Sequence, residues 1–185
     1  HHQRQDHRGA AGLQDAGQQH RREVGGEGGD AGDLERVVLL WPVVALEQAG
    51  ELVDGIQAAV DPEAPWRDQI GQAVGAYVDH IAAAPAITLS WIRELPALGS
   101  RARPLQRAAL RDLTDLLIEL SGSSGFQRAG LSRLTEPMAI ILLGGLRELT
   151  ALIVEDGRDI RGIYGPAIAA STAIMTANSV EQQSC

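Results

Sequence analysis

His80 is the residue best placed to do chemistry. It lies three residues from Tyr77 and next to Asp79, so one helical turn would bring a base, a phenol and a carboxylate onto neighbouring positions. With Ser90 as a nucleophile, such a group could serve general-base hydrolysis. A half-buried, hydrogen-bonded histidine needs far less, and the flanking signatures of an enzyme are missing. No Walker loop, GxGxxG after a strand, HExxH or GxSxG occurs. The other histidines, His1, His2, His7 and His20, form no i, i+4 pair on a convincing helix and have no carboxylate at a fixed spacing. Gly144–Gly145 falls mid-helix, where it marks close packing rather than a phosphate loop. Cys185 is the only cysteine, which leaves no disulfide within the chain and no cysteine metal site. The expectation is a protein with no catalytic residues, no cofactor and no metal.

The elements that would position these residues are helices. The chain has 185 residues and is 44% hydrophobic, enough for a core. Aromatics make up only 3%, so that core must be built from Leu, Ile, Val and Ala. Val43 to Val60 carries apolar residues at helical spacing, and Asp61-Pro62 ends it. A second helix starts near Pro65, with Trp66, Ile70, Ala73, Val74, Tyr77 and Ile81 on one stripe. Pro85 interrupts, and a short helix through Trp91 stops before Pro96. Gly99-Ser100 reads as a loop, and Pro104 opens a helix with a Leu stripe from Leu105 to Leu120. Ser121 to Gly125 reads as a flexible break. Two long helices follow, Ser132 to Asp156 capped by Gly157, and Asp159 to Ser179 with Pro166 bending it or marking its start. The fold class is all-α.

Met138 to Leu143 is an unbroken apolar run, so that helix is apolar nearly all round. A monomeric bundle buries one stripe, and the excess suggests a second subunit. The last helix is rich in small residues, which allow close helix approach. The run itself is too short to span a bilayer, and the first 35 residues lack the apolar core of a signal peptide, so no membrane partner is expected. The chain begins without Met, as a fragment or a processed record would.

The phrases RELPALGSRARPLQRAAL (Arg93 to Leu110) and ELTALIVEDGRDI (Glu148 to Ile160) resemble the C-terminal regulatory domain of TetR-family transcriptional repressors. The resemblance covers Ala49 to Asn178. It implies a TetR-like C-terminal helical bundle whose last two long helices pair with their two-fold mates as a four-helix bundle, hence a homodimer. Ile141, Gly145, Leu149, Ala167, Ala170 and Ile174 are the candidate interface residues. It also implies a small apolar effector held among the central helices. Tyr77, His80, Trp91, Met138 and Leu142 are the candidate lining, each of which could equally be ordinary core. The partner of such a bacterial, cytoplasmic repressor would be operator DNA.

The front of the chain departs from that pattern. The expected division is an irregular leader over residues 1–45, a regulatory and dimerisation domain over 46–180 and a tail over 181–185. The glycines between Gly25 and Gly32 forbid a stable helix there. One reading is a poorly ordered leader. The other is a stretch translated out of frame. The codons of Gln18 to Val24, shifted by one base, can read Asn-Asn-Thr-Val-Glu-Lys, similar to the opening of the second helix in TetR heads. The same shift turns Val37 to Leu40 into Ser followed by Phe- or Tyr-capable codons, similar to the end of a TetR recognition helix. On either reading this polypeptide lacks a recognisable helix-turn-helix. Its net charge of −8 disfavours a broad nucleic-acid surface.

Overall fold

Proline and glycine divide the chain into its helices. The computed structural model describes residues 47–183; the leader over 1–45 with its histidines, and the terminal Cys185, lie outside them. Helix α1 covers 47–59 and ends ahead of Asp61-Pro62. Helix α2 is Trp66–Ala83, with Pro65 at its N-cap. Ala84 then leaves helical geometry (φ −147°, ψ 63°), because the residue before a proline avoids the α region. Pro85 opens α3, Pro85–Arg93. A 3₁₀ stretch, Leu95–Arg101, takes in the expected loop and kinks at Gly99, whose φ of 64° suits only glycine. Helix α4 is Arg103–Leu120, α5 is Ser124–Arg128, and α6 is Glu136–Glu155. A 3₁₀ turn, Ile160–Ile163, leads into α7, Tyr164–Gln183. Among the described residues there is no strand, and the fold is an all-α, multi-helix bundle.

The start of α6 and the Ser121–Gly125 segment differ from the sequence expectation. Helix α6 starts at Glu136 and not at Ser132, because side chains near the end of α7 hold residues 132–135 out of helical geometry. Ser179 Oγ accepts from Ser132 N at 2.9 Å, and Asn178 Oδ1 accepts from Thr135 N at 3.2 Å. The helix ends as expected in a Schellman turn at Gly157 (φ 64°), where Arg158 N donates to Ile153 O and Gly157 N to Val154 O. Pro166 sits in the first turn of α7, where its missing N–H has no partner to lose. The Ser121–Gly125 segment is a packed corner. Ser121 is buried and accepts from Leu134 N, while Gly125 N donates to Pro62 O.

Ile70, Val74, Val78 and Ile81 of α2 form the main core with Phe126, Leu134, Ala139, Ile153, Ala167 and Met175. A smaller cluster joins Ile56 and Val60 of α1 to Leu116 of α4. Helix α6 is central and contacts α3, α4 and α7. The apolar run from Met138 is short, but the helix that holds it has 20 residues, and an 18-residue window within it has a mean hydropathy of 1.7, long and apolar enough to cross a membrane by length and composition. Core helices of soluble proteins meet the same description, and here Arg147 and Glu148 interrupt its second half with contacts to α3.

Thr114 of α4 is 3% exposed, and its hydroxyl has no hydrogen-bond partner. Replacing an unsatisfied buried hydroxyl by a methyl removes a desolvation penalty. Thr114→Val should therefore raise stability by about 1 kcal/mol in chemical denaturation. A loss of similar size would show that the hydroxyl is satisfied in solution.

Candidate functional site

Among the described residues, two cavities between the helices stand out. The larger, about 200 Å³, is walled by Gln48, Ala49 and Leu52 of α1, Tyr77 and His80 of α2, and Thr88 and Trp91 of α3. Gln106, Leu110 and Leu113 of α4 and Ile140, Leu143, Gly144 and Arg147 of α6 complete it. The smaller, about 80 Å³, lies deeper in the bundle among Ile70, Val74, Phe126, Leu142 and Met175. Tyr77, Leu113 and Leu143 border both.

The expected lining is thus brought together in part. Tyr77, His80 and Trp91 share the larger cavity. Leu142 is 7% exposed and faces the smaller one. Met138 borders neither; it packs against the main core. The reason is helical phase. Ile140, Leu143, Gly144 and Arg147 fall at i, i+3, i+4 and i+7 on one face of α6, while Met138 and Leu142 lie on another. An unbroken apolar run carries no polar residue to mark which face is which. Arg147, Gln48, Gln106 and Thr88 line the cavity beyond the residues to which the sequence points. Their signal was weak, since polar residues on helices usually mark solvent.

Tyr77 holds its place through its hydroxyl, 2.8 Å from Thr150 Oγ1. Burial raises its pKa, opposed by that hydrogen bond and by the nearby Arg147 charge. His80 makes no hydrogen bond with Asp79, Tyr77 or Ser90, so the hydrolytic grouping is not assembled.

Helix α3 is tied down at its C-terminal end. Arg93 Nη1 and Nη2 donate to Glu148 at 2.9 and 2.8 Å, and its Nε donates to Glu155 at 2.6 Å. Arg147 Nη2 caps the same helix by donating to Ile92 O at 3.0 Å. The Arg93 hydrogen bonds hold the Glu148 and Glu155 carboxyls below the usual carboxylate range. With folded values depressed, the attraction is complete at neutral pH and fades only as pH falls through those values. All three side chains are solvent-accessible, so the clamp orients α3 more than it stabilises the fold.

The candidate dimer residues divide as well. Ile141 is 62% exposed, and Gly145 and Ala170 are also exposed. Leu149 and Ile174 are half-buried against the core. Ala167 is 1% exposed within the single chain and belongs to the core, not to an outer face. It shares a stripe with Ser171, Met175 and Asn178, all buried. The outward stripe of α7 runs instead through Ala169, Ala170, Ala173 and Ala177.

No protein-family model matches the chain, and no curated protein or solved structure matches it. The described residues define a helical domain with an internal cavity, consistent with a general ligand-binding or dimerisation module.

Proposed function

We propose that this chain is the regulatory body of a TetR-like, cytoplasmic transcriptional regulator that dimerises and binds a small apolar effector controlling DNA binding. The observation that carries this reading is the larger cavity. Its walls come from α1 as well as from the body helices, so a bound molecule touches Gln48, Ala49 and Leu52. Helix α1 stands next in sequence to the segment where the family keeps its DNA-reading head. An effector that fits one position of α1 better than another would shift the population between operator-competent and incompetent forms. The outward faces of α6 and α7 supply an apolar surface for a two-fold partner.

A ligand that binds only the folded chain stabilises it by mass action. A panel of small apolar molecules should contain compounds that raise Tm by about 5 °C at a hundredfold excess over Kd. They should also change tryptophan emission, and the change should vanish in Trp91→Phe. A panel without any thermal shift would remove the effector from this reading. The second reading, a dimerisation or ligand-binding module without DNA activity, is favoured by the net charge of −8. Phosphate contacts need clustered basic residues. The polypeptide as written should therefore give no mobility shift with duplex DNA. A nanomolar, sequence-dependent shift would rule out that second reading.

A further inference from the structure

The larger cavity has a charge character that its apolar walls conceal. The chain carries a net charge of −8, yet among the described residues no Asp or Glu lines this cavity. Its polar lining consists of Arg147, His80, Gln48, Gln106, Thr88 and Tyr77. Arg147 is solvent-exposed, as are Leu110, Ile140 and Gly144 of the same lining. Its guanidinium makes no salt bridge with a carboxylate of the described residues, and its one hydrogen bond goes to Ile92 O. A guanidinium has five N–H groups, so donors remain. The nearby carboxylates are committed elsewhere: both oxygens of Glu148 and both of Glu155 accept from Arg93.

We propose that this cavity takes an amphipathic carboxylate, with its apolar body among the side chains and its carboxylate on the solvent-exposed Arg147. The proposal rests on the reading of the cavity as a ligand site and names its chemical class. The arrangement suits an anion because the charged end stays near water, which avoids the large penalty of burying it, while a cation–carboxylate hydrogen bond fixes the orientation. Size sets the body. A cavity of about 150 Å³ holds benzene, so about 200 Å³ accepts on the order of eight heavy atoms. Beyond the partition of Tyr77, Leu113 and Leu143, the smaller cavity offers space for a few more carbons of an unbranched chain.

The test compares octanoate with 1-octanol, which shares the chain and lacks the charge, by calorimetric titration of the full chain at neutral pH. Octanoate should bind about tenfold more tightly than 1-octanol, the worth of one charge-assisted hydrogen bond. Arg147→Gln should bring that ratio close to one. Arg147→Lys, which keeps the charge, should retain the preference for octanoate and guards against a general loss of structure. If 1-octanol binds as well as octanoate to the unmodified chain, the anion proposal is overturned and the ligand-site reading survives. If neither binds, the ligand-site reading falls and takes the proposal with it.

Discussion

Ile141→Glu should convert a dimer into a monomer. At micromolar concentration the unmodified chain is expected to sediment at about twice 19.6 kDa. Ile141 is the most exposed large hydrophobic side chain of the central helix, at 62%. Such exposure means that a glutamate costs the isolated chain little. In a two-fold interface the substitution appears on both partners at once. A buried like-charge pair costs several kcal/mol, so the dimer dissociation constant should rise about a hundredfold or more. Helical content by circular dichroism should stay unchanged, which separates dissociation from unfolding. Ala170→Glu on the outward stripe of α7 should act in the same direction. The dimer would be excluded by an unmodified chain that sediments at 19.6 kDa. If the unmodified chain and both variants all sediment as dimers, the interface is not on these faces of α6 and α7.

The largest stability loss should come from Gly125→Ala. A Cβ at Gly125 would run into the carbonyl oxygen of Ala64 and Nε2 of Gln69. Neither can step aside cheaply. Ala64 O accepts from Gln69 Nε2 at 2.9 Å, which also donates to Pro62 O at 3.0 Å. Gln69 Oε1 in turn accepts from Ser123 Oγ at 2.8 Å. Gln69 is 2% exposed and fastens the turn before α2 to the corner before α5. Overpacking this junction strains backbone and breaks buried hydrogen bonds together, a loss of about 3 kcal/mol or more. Gly130→Ala is the contrasting control. Gly130 has a φ of 70° with open space around it, so that variant should lose only about 1 kcal/mol. Chemical denaturation of both variants checks the ranking. Equal losses would show that positive φ, and not the close approach at Gly125, governs glycine in this corner.

Helix order and type were legible in the sequence because they rest on local physics. Pro65, Pro85 and Pro104 mark helix starts by what proline does to its own φ and to the residue before it. Gly157 marks a stop because a Schellman turn needs positive φ. Tyr77 and His80 were legible as a pair because α2 is amphipathic enough to show its inner side. Tertiary contacts decided the rest. The start of α6 moved to Glu136 because Asn178 and Ser179, more than forty residues away, claim the backbone before it. The Ser121–Gly125 corner is ordered by Gln69 and Leu134, which no local composition reveals. The facing of α6 was undetermined, since consecutive apolar residues give no phase. Only packing against α3, α4 and α7 separates Leu142 and Met138 on the inside from Ile141 on the outside. The same phase places Arg147 in the cavity lining. Sequence determined which residues form helices, because that depends on neighbours along the chain. The three-dimensional packing alone decided which faces meet, and with them the cavity and its charge.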